Sequence, residues 1–276
     1  MSETREHANF AYVHRAFAET EFGKALAPKV RWDRYKPETF SNEHWQELLG
    51  VDANNLGHLQ LMGNMARGFG RHMAVSKPGY FEPEEPAILE VAGYIHDWGE
   101  SIPSVGDINY LLKTAEDEAH EQAEFEANLA HFFNGGEADV EMLIRRALDE
   151  VIFTKDSKLG QAFNAIERVG YVRTGLRAAK HVIDGTAPGC EENLRWLAVD
   201  VLSNNISKLI DYSNTYPPIK DYLTGQESLI SAAFLASTTE TFANYGAADR
   251  QRERLLAFEE NFMDWRQWKI RADLGL

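Results

Sequence analysis

The chain has 276 residues, enough for one large domain or for one domain with substantial appendages. Hydrophobic residues make up 44% and charged residues 26% of the chain, which is typical of globular proteins and argues against general disorder. The net charge of −15 argues against a protein whose main task is to grip phosphate backbones or anionic membranes. It does not exclude a small phosphorylated substrate, because a metal ion and a few basic residues can reverse the local charge of a pocket.

Cysteine content and hydropathy indicate the cellular compartment. The single cysteine, Cys190, cannot form an intramolecular disulfide and fits a reducing compartment. Residues 1–10 are polar and charged, unlike a signal peptide, and no run of 18 apolar residues occurs anywhere in the chain. We therefore expect a cytoplasmic protein with no membrane partner.

Residues 1–49 form an aromatic-rich arm, in which short helices are predicted near 8–20 and 42–50. We interpret the aromatic side chains as packing residues that hold this arm against the main core. A second interpretation is that Arg31 and Trp32, which lie in a small basic cluster, line the mouth of a pocket.

The first strongly periodic segment predicts a helix over 54–75. Its apolar stripe consists of His58, Met62, Met65, Phe69 and Met73. A histidine on such a stripe is either a core residue or a ligand. His72 lies on nearly the same face but too far along the helix axis to share one metal with His58.

The next segment predicts a helix over 89–100 with a polar cluster at its end. The inward-facing set is Val91, Ile95 and Trp98. Glu100 is four residues after His96 and three after Asp97, so the three groups reach the same end of one helix. An imidazole and two carboxylates bordered by apolar residues are typical of a divalent metal site.

Three further helices are predicted over 114–133, 137–153 and 160–183. Thr114 is expected to cap the first of them by accepting a hydrogen bond from the amide of Asp117. His120 and His131 in that helix are expected at solvated positions. The third helix contains a basic stripe of Arg173, Arg177 and Lys180. This stripe either pairs with neighbouring acidic helices or faces a substrate phosphate.

A helix over 191–212 carries Asp200 between apolar neighbours. A carboxylate in such surroundings is costly unless it is paired or bound to a metal. Alternatively, Asn204 and Lys208 continue its face as an ordinary polar stripe. Two more helices follow within 228–274, and no strand pattern is found, so the sequence predicts an all-α protein.

The candidate metal ligands occur along the chain in the order His58, His96-Asp97 and Asp200, on three predicted helices. This order resembles that of the metal ligands in the HD-domain metal phosphohydrolases. The segment AVDVLSN around Asp200 and the helix that follows His58 are similar to the family's patterns. The string HDWGE followed by GDI resembles the branch that contains the bacterial 5′-deoxynucleotidases. The gap before Asp107 is two residues longer than in that branch.

This resemblance implies an HD-domain helical bundle with additional N- and C-terminal helices. It covers roughly residues 50–215, so that 1–49 is an arm packed on the core and 216–276 is a C-terminal helical extension of one compact unit. The arms to which no motif can be assigned are compatible with a homodimer.

The resemblance also implies a set of site residues. His58, His96, Asp97 and Asp200 would hold one divalent metal per chain, for which Mn²⁺, Co²⁺, Zn²⁺, Fe²⁺, Ni²⁺ and Mg²⁺ all remain open. Glu100 would orient or deprotonate the attacking water, and Asp107 would orient the nucleophile or assist the leaving oxygen. The candidates for substrate binding are Arg31, Trp32, Arg173, Arg177 and Lys180.

The implied activity is hydrolysis of nucleotides, above all of nucleoside or deoxynucleoside 5′-monophosphates to nucleoside and phosphate, and not of nucleic acid polymers. One alternative is an HD-type mixed-valent di-iron oxygenase, for which His120 and His131 would supply the additional ligands. Another is a nucleotide-binding regulatory module without turnover. If His58, His96, Asp97 and Asp200 were only structural polar residues, all four would match the family's ligand pattern by coincidence.

Overall fold

A computed structural model describes residues 10–105, 114–132, 138–237 and 249–275. Within these ranges the chain forms helices and no strand, which confirms the predicted all-α class. The extended backbone at Val30 makes one isolated antiparallel bridge with Asn54. None of the described helices is both long and apolar enough to cross a membrane.

The helices are numbered in chain order. They are α1 (Ala11–Glu19), α2 (Glu21–Leu26), α3 (Asn42–Leu49), α4 (Asn55–Ser76), α5 (Glu85–Ile95), α6 (Ala115–Phe132), α7 (Ala138–Ala147), α8 (Lys158–Asp184), α9 (Glu191–Ser213), α10 (Pro217–Gly225), α11 (Glu227–Ala236) and α12 (Asp249–Asp273). Short 3₁₀ turns cover Asp33–Tyr35, Val51–Ala53 and Trp98–Ser101, and a π-helical turn covers Leu148–Ile152.

Two of these helices, α2 and α10, are not among the predicted elements. Helix α2 begins because Thr20 caps it, with the Thr20 hydroxyl accepting a hydrogen bond from the Gly23 amide at 3.1 Å. Helix α10 begins at Pro217, whose fixed φ suits the first turn of a helix. The predicted cap of α6 is confirmed, since the Asp117 amide donates to the Thr114 hydroxyl at 3.2 Å.

The chain divides into two compact units. The first comprises residues 1–31 and 54–164, and the second comprises residues 32–53 and 165–276. These boundaries follow packing and differ from the predicted division after residues 49 and 215. That predicted division rests on motifs and stays a prediction.

In the first unit, α4 and α5 pack with their backbones in contact. A Cβ atom built on Gly93 would lie 2.6 Å from the backbone nitrogen of Gly63 and 2.7 Å from its Cα. A Cβ atom built on Gly63 would lie 2.3 Å from the ring of Tyr94. Real Cβ atoms do not approach other atoms so closely, so this helix crossing requires glycine on both sides.

An aromatic cluster packs around the turn that follows α5. The rings of Phe17 and Trp98 stack with their centroids 4.5 Å apart, and Phe132 of α6 packs against Phe17 at 5.9 Å and against Trp98 at 5.6 Å. All three side chains are fully buried. Their burial confirms Phe17 of the N-terminal arm as a packing residue and Trp98 as an inward-facing one, and such aromatic pairs stabilise beyond simple area burial.

In the second unit, α9 packs against α10 and α12. Helix α8 contributes Arg177 and His181, which both hydrogen-bond the backbone carbonyl of Leu48, at 2.6 and 2.9 Å. Because Leu48 lies in the last turn of α3, these side chains satisfy a carbonyl that the helix itself leaves without a partner. The C-terminus of α3 is thereby fixed.

We predict that Gly93→Ala destabilises the protein by about 1–3 kcal/mol, because the new methyl group meets backbone atoms that cannot change rotamer. Gly68→Ala is the matched control in α4, since nothing lies within 4 Å of its Cβ position. The control should be neutral or stabilising by about 0.5–1 kcal/mol. Denaturant unfolding of both variants checks this, and equal stabilities would contradict the required close approach.

We also predict that Glu90→Gln raises the melting temperature at neutral pH. Glu90 is buried and accepts a hydrogen bond from the Phe10 amide at 2.9 Å, which a glutamine oxygen can replace. Burial raises the pKa of Glu90 despite this hydrogen bond and nearby Arg67. Since its pKa is higher in the folded state, ionisation of Glu90 reduces stability as pH rises above the unfolded value.

The gain from Glu90→Gln should therefore appear near pH 7 and vanish near pH ~4, where the carboxyl is protonated in both states. Thermal unfolding across this range measures it. Glu116→Gln, at an exposed position of α6, should show no such difference between the two pH values. A loss of stability in Glu90→Gln at pH ~7 would show that the charged form is favoured by its surroundings.

Candidate metal site

The candidate site is built where α4 begins and α5 ends. His58 lies in the first turn of α4, which Asn54 caps by accepting a hydrogen bond from the Gly57 amide at 3.0 Å. Helix α5 stops at Ile95, so His96 and Asp97 follow its last turn rather than lying inside a helix that reaches residue 100. The predicted helix over 89–100 is therefore wrong in its C-terminal part.

The chain replaces that part with a 3₁₀ turn. The Glu100 amide donates to the carbonyl of Asp97 at 3.1 Å, and the Ser101 hydroxyl donates to the carbonyl of Trp98 at 2.6 Å. These short-range hydrogen bonds compete with α-helical ones and tighten the backbone. Consequently, Asp97 faces the two imidazoles.

His58, His96 and Asp97 could hold a metal ion, since one ligand atom of each lies within 4.8 Å of the others. The two Nε2 atoms are 3.1 Å apart, and Asp97 Oδ2 lies 3.6 Å from that of His58 and 3.3 Å from that of His96. Metal–ligand bonds of ~2.0–2.2 Å hold neighbouring ligand atoms about 2.8–3.6 Å apart. The donor set therefore fits a transition-metal ion in both chemistry and spacing.

The His96 ring is oriented by the same helix end that carries it. Its Nδ1 lies 3.1 Å from the carbonyl oxygen of Gly93, so Nδ1–H donates to that carbonyl. Nε2 then carries the lone pair and faces His58 and Asp97. A backbone hydrogen bond of this kind is typical of metal-binding histidines.

Arg31 is the cationic residue beside this group. Its guanidinium donates to Asp97 Oδ2 at 3.0 Å, with the Arg31 and Asp97 side chains only 13% and 17% exposed. Burial alone would raise the pKa of Asp97, but His96, Arg31 and His58 together hold it well below its usual range. The carboxylate is therefore ionised at neutral pH, as a metal ligand must be.

Glu100, at the edge of the site, is held by two residues from outside the 3₁₀ turn in which it lies. Asn55, in the first turn of α4, donates its side-chain N–H to Glu100 Oε2 at 3.2 Å. Lys29 donates its ammonium to the backbone carbonyl of Glu100 at 2.5 Å. Asn55 is buried, and among the described residues its Oδ1 has no hydrogen-bond partner.

Asp200 lies in the second unit, where its carboxylate is bound by Arg254 and Tyr35. The Arg254 guanidinium donates to Oδ1 at 2.6 Å and to Oδ2 at 2.5 Å, and the Tyr35 hydroxyl also donates to Oδ2. Burial, followed by the nearby charge of Asp200, raises the pKa of Tyr35, so Tyr35 remains a donor. Arg254 thus provides the partner that a carboxylate with apolar neighbours needs. The role of Asp200 as a metal ligand stays a prediction.

The proposed phosphate-binding stripe of α8 has other contacts. Arg177 binds carbonyls at the end of α3, and Lys180 forms an ion pair with Asp184 at 2.7 Å. Arg173 is exposed and lies near enough to Tyr222 to lower the pKa of that phenol, although burial dominates and raises it. None of these contacts is an ion pair with another acidic helix, and a role of the stripe in substrate binding stays a prediction.

Trp32 adopts a left-handed backbone conformation, with φ of 64°, which is uncommon for a bulky residue. Its ring meets that of Tyr171 edge-on at 5.9 Å. Both residues belong to the second unit. A role of Trp32 in substrate binding stays a prediction.

The remaining candidates do not join the metal-binding group within the described ranges. His120 and His131 are exposed on α6, as predicted. Asp107 lies outside the described residues. His72 lies near the far end of α4, and the choice of His58 over His72 agrees with the observed group.

Four residues at or near these candidates escaped the sequence interpretation: Lys29, Tyr35, Asn55 and Arg254. Asn55 had a usable signal, because it lies three residues before His58 and therefore on nearly the same helix face. Lys29 belongs to the basic cluster around Arg31, but no local pattern indicated its contact with Glu100, and none connected Arg254 to Asp200.

Comparisons with known proteins do not assign this chain to a family. No protein-family model, no curated protein and no solved structure matches it.

We predict that Asp97→Ala abolishes metal binding, because it removes the carboxylate and leaves two imidazoles. Arg31→Met should instead strengthen metal binding by about tenfold, since it removes a cation that competes for the same oxygen. Arg145→Met is the control, as it deletes an equally charged but largely exposed side chain of the first unit. Calorimetric titration with Co²⁺ or Mn²⁺ measures all three.

A metal affinity that is equal in Asp97→Ala and in the unmodified protein would contradict the assignment of Asp97. Weaker binding in Arg31→Met would mean that Arg31 holds Asp97 in place for the metal rather than competing with it.

Proposed function

We propose that this protein is a metal-dependent phosphohydrolase that removes phosphate from nucleotides, above all from nucleoside or deoxynucleoside 5′-monophosphates. The observation that supports this proposal is the buried group of His58, His96 and Asp97, with the guanidinium of Arg31 hydrogen-bonded to its carboxylate. Metal donors beside an arginine are the combination that phosphoryl transfer requires, because charge develops on the phosphoryl oxygens.

The metal would be one divalent ion per chain, with these three residues among its ligands. When bound, such an ion supplies a Lewis acid for a phosphoryl oxygen and lowers the pKa of a coordinated water. Neutral imidazoles with a carboxylate suit Mn²⁺, Co²⁺, Zn²⁺, Fe²⁺ or Ni²⁺ better than Mg²⁺. In this proposal, Asp200 and Asp107 retain the roles of fourth ligand and of assistant to the nucleophile or leaving oxygen.

Arg31 is proposed to bind the phosphate. Its guanidinium is hydrogen-bonded to Asp97 and its side chain is only 13% exposed, so a positive charge that is partly removed from solvent lies beside the metal donors. Five N–H donors in a planar fork match the oxygens of a phosphate monoester. The guanidinium can therefore exchange one anionic oxygen for another with little motion.

Glu100 is proposed to orient the attacking water and accept its proton. Asn55 and Lys29 would act as positioning residues, since one holds the carboxylate and the other the backbone of Glu100. A carboxylate fixed by neighbouring donors loses less conformational entropy when the reaction begins. The buried Oδ1 of Asn55 offers an additional acceptor for a water beside it.

We predict that Glu100→Gln keeps the metal and loses at least about 100-fold in phosphate release, because general base catalysis contributes 10²–10⁴-fold. Asn55→Ala should lose less, roughly tenfold, because Glu100 remains but is no longer held. Glu116→Gln at an exposed position of α6 is the matched control and should retain full activity. The measurement is phosphate release from a panel of nucleoside mono-, di- and triphosphates with Mn²⁺, Co²⁺ or Mg²⁺, paired with metal analysis.

Full activity of Glu100→Gln would exclude the assigned role. If the unmodified protein releases no phosphate with any metal, and binds two irons per chain, the proposal is wrong and the oxygenase alternative replaces it. Tight nucleotide binding without turnover in every metal would instead favour the regulatory module.

A further inference from the structure

Helix α12 carries a line of exposed apolar side chains along the face that points away from the rest of its unit. They are Leu256, Met263 and Ile270, which are 52%, 51% and 58% exposed. Each is seven residues from the next, so the three lie on one line along the helix. Over the same span, Leu255, Phe258 and Trp265 face inward and are buried.

Single exposed apolar residues are ordinary, but a regular line of them is not. The inward face of α12 is already covered, since Phe258 packs against Phe234 of α11 at 4.7 Å and Trp265 donates to Ser231 at 3.1 Å. The outward line therefore forms a second apolar face on a helix whose first face is fully used. Apolar residues spaced by seven occupy one of the two positions per heptad at which helices that pack along one another meet.

We propose that this outward line is a dimerisation surface, on which α12 packs antiparallel against α12 of a second copy of this chain, with the two-fold axis at Met263. The line is symmetric about Met263, because Leu256 and Ile270 lie seven residues before and after it. Antiparallel packing places Met263 beside its counterpart and Leu256 beside Ile270 of the other copy. The same apolar patch is thus complementary to itself, as a two-fold interface requires.

The charged residues beside the apolar line also favour antiparallel packing of the two α12 helices. Glu259 and Arg266 are exposed, seven residues apart, and lie on one flank of the apolar line. Antiparallel packing centred on Met263 brings Arg266 of each copy beside Glu259 of the other, giving two pairs of opposite charge. A parallel pair in register would instead bring Arg266 beside Arg271, and like charges at such flanking positions select against that orientation.

The expected dimer is weak. One helix with three apolar layers offers less surface than the ~800 Å² per partner of a standard interface. Each copy also carries a net charge of −15, which opposes association over distances up to about 8 Å at physiological ionic strength. We therefore expect a dimer at high micromolar concentration that dissociates on dilution.

Sedimentation velocity of the full chain at physiological salt, from low to high micromolar concentration, tests the surface. Met263→Glu should weaken association by more than about tenfold, since it places two carboxylates together on the symmetry axis. Val75→Glu is the matched control: it makes the same change at a position 83% exposed on α4 and should leave association unchanged. Circular dichroism checks that both variants are folded.

Charge reversal tests the flanks. Arg266→Glu should weaken the dimer, and the double variant Glu259→Arg with Arg266→Glu should restore it. A structural role of either residue within one copy would not produce this rescue.

Disulfide crosslinking tests the orientation. The natural Cys190 is buried, so engineered cysteines on α12 would be the reactive ones. Oxidation of a mixture of Leu256→Cys and Ile270→Cys proteins should crosslink one to the other, while each variant alone should stay largely uncrosslinked. A chain that is monomeric at every concentration, a dimer unaffected by Met263→Glu, or crosslinking of Leu256→Cys to itself would each overturn the proposal.

Discussion

The close approach of α4 and α5 is the constraint on which the candidate site depends. The two backbones meet at Gly63 and Gly93, where a side chain on Gly93 would collide with main-chain atoms. His58 precedes this crossing on α4 and His96 follows it directly after the end of α5, so the two Nε2 atoms come within 3.1 Å. Larger residues at the crossing would separate the helices, and the imidazoles could no longer share an ion.

A second wall of the site comes from the segment just before the 3₁₀ turn at Asp33. Arg31 contacts Asp97, Lys29 contacts Glu100, and the bridge between Val30 and Asn54 holds this segment along the start of α4. Lys29 and Arg31 are two residues apart with the bridged Val30 between them, and side chains with this spacing along extended backbone point to the same side. This short segment thus places one cation on the carboxylate of Asp97 and another on the backbone carbonyl of Glu100, within a chain that is acidic overall.

Much of the fold could be predicted because helical periodicity is a local property. The apolar stripe of α4 and the Thr114 cap of α6 were both readable from spacing. The end of α5 was not, because Ile95, His96 and Asp97 fit a continuing helix equally well, and the turn that follows is decided by hydrogen bonds within residues 97–102. Such competition between α and 3₁₀ geometry depends on packing around the turn and leaves little trace in composition.

The site itself was predictable in part. His96 and Asp97 were identified by residue type and helix position and His58 through the resemblance, and the structure brings the three together. Arg254 could not be anticipated as the partner of Asp200, because 54 residues separate them and no local pattern connects the two. The sequence can show that a buried charge needs a partner. Which residue becomes that partner depends on the tertiary structure.

The position of the three donors along the chain has a consequence for how the candidate metal site forms. Helices α4 and α5 form an antiparallel hairpin, and all three donors lie between residues 58 and 97. Contacts that are local in sequence form early, because little loop-closure entropy opposes them. Bringing the three donors together therefore requires only the pairing of two helices that are neighbours in sequence, and not the contacts that join distant parts of the chain.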